Sequence, residues 1–198
     1  MIARIQLDLT TKSDIKLGNY LGSLFQGVLM ELISPEYADE LHISSLHPYS
    51  QYVRKTEKGL TWTVNTLDSN SRSQIIGALS NINLTDLTLR QKEAAFHISG
   101  RKIEETTYDD LLNRYYMGEP CPPYVSIDFL TPTSFKSNGK YVIFPTSQLI
   151  LKSLAKKYDN SSTCSKVCDE LLFDYINGNT EIILSLIHIS EPTRQAEI

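Results

Sequence analysis

Ala3, Ile5, Leu7 and Leu9 alternate with the polar residues Arg4, Gln6 and Asp8. A period of two marks a strand with one buried face, so the first strand is expected at 2–9. Leu21, Leu24, Phe25, Val28, Leu29 and Leu32 then recur three and four apart, one apolar stripe along a helix from about Asn19 to Ile33. Ser34 before Pro35 opens a second short helix, because serine satisfies free amides and proline suits the first turn; it runs through Leu41 and ends at His42. Leu60, Trp62 and Val64 alternate again, Arg72 to Leu79 is helical in pattern, and Thr85–Leu89 and Ala94–Ser99 read as strands. Thr107 with Asp110 three residues on starts a helix through Tyr116, which Pro120, Pro122 and Pro123 stop. Strands at 124–130 and 140–144 follow. A helix from Ser147 sets Leu149, Ile150 and Leu154 against its lysines, and a last helix is expected at about 165–177.

Short strands mixed with helices, without long βαβ alternation, favour an α+β fold of ferredoxin-like type. The proline-rich stretch at 117–123 is the expected boundary between a domain at 1–118 and a second at 119–183. Residues 184–198, LSLIHISEPTRQAEI, look like the in-frame translation of a sequencing adapter: the preceding rhythm is abandoned, and Pro192 with Thr193 caps no following element. His188 is therefore expected to carry no function.

The 198 residues suffice for one large or two small domains, and 41% hydrophobic with 21% charged residues suits a soluble globular chain. No apolar run approaches the roughly 18 residues of a membrane span, and MIARIQLDLTTK lacks the apolar core of a secretory signal, so no membrane partner and a cytoplasmic location are expected. Cys121, Cys164 and Cys168 are odd in number, which disfavours a disulfide framework and leaves too few ligands for zinc. Neither metal nor cofactor is expected. The net charge of −4 argues against a surface coated with positive charge, yet no Asp or Glu lies between Phe129 and Tyr158, where Lys136, Lys140, Lys152, Lys156 and Lys157 fall. Such a run either tracks a phosphate backbone or is a solvated face.

In LGSLFQGVLMELI, ADELH, PYSQYV and FLTPTSFKSNGKYVIFP, taken in that order, the chain resembles the sixth of the Cas protein families, RAMP-superfamily endoribonucleases that process precursor crRNA. TPTSF followed by Gly-Lys-Tyr and a proline-bounded strand is the most specific piece. The resemblance spans most of 1–160. It implies tandem ferredoxin-like folds, the second incomplete here, and metal-independent cleavage of CRISPR repeat RNA to 2′,3′-cyclic phosphate and 5′-hydroxyl ends. Its implied partners are repeat RNA or crRNA and, beyond these, an interference complex or a second copy of the chain.

Such chemistry uses the substrate 2′-hydroxyl as nucleophile, so the protein must supply a proton acceptor, a proton donor to the leaving oxygen, and positive charge on the phosphorane. Histidine suits both proton roles near neutrality. His42, at the LH position where the resemblance puts a catalytic histidine, is the first candidate; a plain helix-capping role is its alternative. His47, before Pro48, is either the partner donor or a loop residue. Tyr20 is a candidate to hydrogen-bond the 2′-hydroxyl, or else it packs on the helix face. Arg54, Lys55 and Lys58 either stabilise the pentacoordinate phosphate or form a charged hairpin turn ending at Gly59. His97, alternating with Phe96 and Ile98, reads as structural.

The glycine-rich loop that the resemblance implies near the C-terminus is absent: no Gly-x-Gly occurs, and Gly178 is the last glycine. Sheet edges are then expected to lie open, with loss of stability. Two other classes stay open, a non-catalytic RAMP subunit holding crRNA and a ferredoxin-like small-ligand domain without RNA affinity.

Overall fold

A computed structural model describes residues 1–118, 122–130, 133–137, 139–142, 144–164 and 166–183. Cys121, Thr131 and Pro132 of the TPTSF motif, and the tail at 184–198 with His188, lie outside the described residues. The chain divides into two compact units: Met1–Pro132 with Asn160–Cys164, and Thr133–Asp159 with the chain after Cys164.

The first unit is built on one antiparallel sheet in the order β2-β3-β1-β5-β4. Its strands are β1 (Ile2–Thr10), β2 (Tyr49–Thr56), β3 (Gly59–Thr66), β4 (Asp86–Leu89) and β5 (Ala94–Thr106). Because β3 and β5 both pair antiparallel with β1, and β2 with β3, the two halves interleave as split βαβ units, and β4 adds a hairpin at one edge. The inner face carries Ala3, Ile5, Leu7 and Leu9 of β1 beside Leu60, Trp62 and Val64 of β3, all buried. Helix α1 (Gly22–Leu32), entered through a 3-10 turn at Asn19–Leu21, lays Phe25, Val28 and Leu29 on that face. Phe25 is the hub, its ring centroid 5.0 Å from Trp62 and 5.4 Å edge-on to Phe96.

Helix α2 (Pro35–Ile43) starts as its sequence dictates, with the Ser34 hydroxyl accepting from the Tyr37 amide at 3.3 Å and Pro35 in the first turn. Opposite it in sequence order, α3 (Ser69–Ser71) and α4 (Gly77–Leu79) are joined through a π-helical stretch, Arg72–Ile76, that buries Ile75 and Ile76. Arg101 closes its C-terminal end, donating from Nε to the Leu79 carbonyl at 3.2 Å and from its terminal nitrogen to the carbonyls of Asn81 and Leu84. Helix α5 (Tyr108–Tyr115) begins with the Thr107–Asp110 capping box read from the sequence.

Several expectations are corrected. The segment 124–130 is no strand: among the described residues it joins neither sheet, and without a neighbouring strand's ladder an extended run is not held as one. PYSQYV is a strand, β2, which its alternation hides because Gln51 occupies an inner position between Tyr49 and Val53. That glutamine is satisfied there, accepting from Trp62 Nε1 at 2.7 Å and donating to the Gly22 carbonyl at 3.2 Å. Tyr20 is 53% exposed and does not pack on the helix face. The tight 3-10 turn swings it outward, and its hydroxyl donates to the Lys16 carbonyl. The last helix begins later than expected, at Glu170, since Asp169 takes the N-cap and accepts from Leu172 N–H at 2.6 Å.

The second unit, as described, holds a two-stranded antiparallel sheet, β6 (Phe135–Ser137) and β7 (Lys140–Val142), with α6 (Ser147–Ser161) and α7 (Glu170–Asn179). Gly139, at φ +76°, makes the turn between the strands. The Asp159 carboxylate gathers the loop before α7, accepting from the amides of Val167 at 2.8 Å and Cys168 at 2.9 Å. No helix among the described residues is long and apolar enough to cross a membrane.

Candidate active site

His42 stands exposed in the last turn of α2, where free carbonyls favour a positive charge. Leu41 and Tyr37, one and five residues before it, are buried and fix the helix to the core. Burial, with Asp68 and Glu40 nearby, pushes the Tyr37 phenol well above its ordinary range, so it is neutral at every ordinary pH. The chain leaves α2 through 44–48, whose far end is held hard. The Pro48 carbonyl accepts from the Leu67 amide at 2.8 Å and from the Ser71 hydroxyl at 3.4 Å. Ser71 is fully buried and belongs to the Asp68 capping box. His47, next to this anchor, is exposed, with its ring 5.8 Å from that of Tyr49. Tyr49 is itself buried, its phenol pushed up by that burial, and its oxygen accepts from Gln26 Nε2 at 3.5 Å.

The two histidines thus stand at either end of one short connection, both open to solvent, between a helix and a strand fixed to the core. Tyr20 rides on the 3-10 turn that packs against β2, the strand that begins two residues after His47. Arg54 and Lys55 lie near the other end of that strand and Lys58 in the turn beyond it. At ~3.3 Å per residue, the seven residues from His47 to Arg54 cover roughly 20 Å, several times the spacing of adjacent phosphates. Those cations are therefore too far along β2 to share one phosphate with His47. Sequence spacing alone hid this, since the extended path of β2 was not legible.

Of the five lysines in the run without acidic residues, three have local roles. Lys136 lies over the Tyr141 ring at 4.7 Å and Lys152 over the Phe173 ring at 4.4 Å. Lys157 is half-buried, and burial pulls its ammonium below the ordinary lysine range. Lys140 and Lys156 remain exposed. Among the described residues no group of three or more His, Cys, Asp or Glu side chains is placed to hold a metal ion. His97, read as structural, is an exposed residue of β5 paired with Asp86 at 3.2 Å.

A five-stranded sheet of interleaved βαβ halves, covered on one face by α1 and the 69–79 helix, defines the first unit as a ferredoxin-like α+β domain. A solved Cas6 product complex shares the architecture across 93% of this chain and 74% of its own, with a TM-score of 0.68 at 17% identity; a second reaches 0.66 at 23% identity. Residues 127–193 match the family profile of the CRISPR-associated endoribonuclease Cas6, a span that enters the stretch read from the sequence as adapter-derived. The chain is 34% identical over 139 residues to the CRISPR-associated endoribonuclease Cas6 of Mycobacterium tuberculosis, covering 70% of this chain and 44% of that protein. It is 32% identical over 158 residues to the protein of the same name from Streptococcus thermophilus, covering 80% of this chain and 63% of that one. It therefore spans between 44% and 63% of the length of these relatives. The chain belongs to the CRISPR-associated endoribonuclease Cas6 family.

Proposed function

We propose that this chain processes CRISPR RNA, cutting precursor crRNA within its repeats by attack of the substrate 2′-hydroxyl on the adjacent phosphorus. The 5′-oxygen leaves with a proton, giving 2′,3′-cyclic phosphate and 5′-hydroxyl ends, and no metal takes part. The observation that carries the reading is the exposed histidine pair on one anchored connection, in a chain whose relatives are named endoribonucleases. His42 exchanges one of the two protons, His47 is the candidate for the other, and Tyr20 is the candidate hydroxyl for the 2′-oxygen. Arg54, Lys55 and Lys58, with Lys140 and Lys156, hold phosphates away from the cut. The solved neighbours were determined as product complexes, which supports repeat RNA as the ligand here.

Incubation with CRISPR repeat RNA in EDTA tests this. The expected result is a cyclic-phosphate product that His42→Ala reduces by about 10²- to 10⁴-fold, with RNA affinity retained. Tight binding without cleavage would instead make the chain a crRNA-holding subunit, and loss of binding together with cleavage would give His42 a structural role.

A further inference from the structure

On the outer face of the sheet, remote in sequence from the histidine pair, three side chains form a row across three strands. Thr10 on β1 stands opposite His97 on β5, and His97 opposite Asp86 on β4. Directly opposed residues on one sheet face bring their side chains into contact range. The row lines a cleft of about 550 Å³ together with Thr11, Lys12, Ser13 and Ala95. That volume lies within the range of small-molecule sites.

The hydrogen bonds of the cleft are unevenly spent. Both carboxylate oxygens of Asp86 are engaged, Oδ1 by His97 Nδ1 at 3.2 Å and Oδ2 by the Thr85 hydroxyl at 2.7 Å. These bonds hold the Asp86 carboxyl below its ordinary range. Thr11 donates to the Ala95 carbonyl at 2.6 Å and accepts from the Ser13 amide at 3.0 Å. The Ser13 oxygen accepts from the Ala95 amide at 3.4 Å, which leaves its proton to give. Among the described residues the Lys12 ammonium, the Thr10 hydroxyl and His97 Nε2 make no hydrogen bond. What remains unspent is therefore an ammonium, two hydroxyls and, when the imidazole is protonated, a second N–H. Each Asp86 oxygen already holds one donor, and the free ammonium and hydroxyls can all donate, which suits an anionic ligand rich in oxygen.

We infer that this cleft is a phosphate-binding site, with His97 as an imidazolium held by Asp86 and Lys12 as the second cation. The phosphate is either an internal diester of a nucleic-acid strand or the terminal monoester of a nucleotide, and the same donors serve both. Asp86 orients the ring and keeps its Nε2–H directed away from β4. Because neutral imidazole with its proton on Nδ1 offers Nε2 only as an acceptor, binding weakens as His97 loses its charge. The charged groups around His97 are Asp86 on β4, Lys12 after β1 and, further along β1, Asp8, which is engaged by Thr61 at 3.2 Å.

The test is titration of the 198-residue chain at constant ionic strength, following the ring protons of His97 by NMR. The probes are thymidine 5′-monophosphate and the deoxy dinucleotide TpT, which lacks the 2′-hydroxyl and carries a diester charge that does not change between pH 6 and 8. Saturable shifts at His97 at pH 6 are expected, weaker by severalfold for TpT at pH 8. His97→Gln and Lys12→Met should each weaken binding about tenfold at pH 6, while leaving the thermal unfolding midpoint unchanged because both residues are exposed. Binding of TpT identifies the diester as ligand; binding of the monophosphate alone identifies the terminal phosphate. Absence of saturation with either probe, or equal affinity in both variants, overturns the site. None of these readings involves RNA cleavage, so the inference stands or falls apart from the proposed nuclease.

Discussion

Gly59 opens β3 at φ +153°, a conformation that L side chains rarely adopt. A β-carbon there would be driven into the carbonyl oxygen of Leu9, with the carbonyl carbon 3.2 Å and Thr10 Cα 3.3 Å away. All three are backbone atoms of the central strand, so no side chain can swing aside. Gly59→Ala should therefore combine backbone strain of about 1–3 kcal/mol with a forced strand displacement of about 1–3 kcal/mol. The lower entropy of the unfolded alanine chain returns only about 0.4–1 kcal/mol. The net loss is roughly 3 kcal/mol, a large fraction of the ~5–15 kcal/mol that holds a typical domain together. Trp62, the one tryptophan of the chain, is fully buried in the same unit, so urea unfolding followed by its fluorescence reports this loss. Gly77→Ala is the matched control: it is helical, has open space where the β-carbon would go, and should stabilise by up to ~1 kcal/mol. A Gly59→Ala protein within about 0.5 kcal/mol of the parent would refute the reasoning, because the backbone clash would then not exist.

Phe25→Ala should cost about 3–5 kcal/mol and Phe25→Leu distinctly less, since only the first empties the space between Trp62 and Phe96; paired urea curves check the order. Gln51→Leu strands the Trp62 indole N–H inside the core and should destabilise by about 1–3 kcal/mol despite the added apolar surface, again read from Trp62. The carboxyls of Asp159, Asp86 and Glu104 are all held below their ordinary range, the first chiefly by the Val167 amide, the second by Thr85 and the third by Lys102. A lowered folded value means stability present above the unfolded value near pH 4 and lost as pH falls through the folded one. Stability should accordingly be flat down to about pH 5 and decline on further acidification, a decline that Asp159→Asn makes shallower in an acid titration followed by circular dichroism.

What was legible in the chain was whatever one local rule determines. The Ile5-Leu7-Leu9 alternation, the stripe from Leu21 to Leu32, Ser34 with Pro35, and Thr107 with Asp110 each specify an element without help from elsewhere, and each is present. The misreadings arise where a distant partner overrides the local pattern. Gln51 looks like an interruption until Trp62 is seen to donate to it. Residues 124–130 look like a strand, but a strand exists only where another chain segment pairs with it. The histidine connection could be proposed from ADELH and its neighbourhood, but its anchoring by Leu67 and Ser71 on the Pro48 carbonyl is a contact between residues about twenty apart, which no spacing announces. The His97–Asp86 pair was missed for the same reason: alternation with Phe96 and Ile98 marks His97 as a strand residue and says nothing of β4 beside it.

The sheet order also has a consequence for how the protein is made. β1 leaves the ribosome before the other strands of its sheet, yet it is the middle strand, flanked by β3 and by β5, which ends at Thr106. At ~5–20 residues per second, the first strand waits roughly 5 to 20 seconds for its second neighbour. During that interval Ile5, Leu7 and Leu9 have at most one side covered, an exposed apolar edge on an unfinished chain. Yield in a cell should therefore depend on elongation speed and on chaperones that shield β1, even where the finished fold is stable.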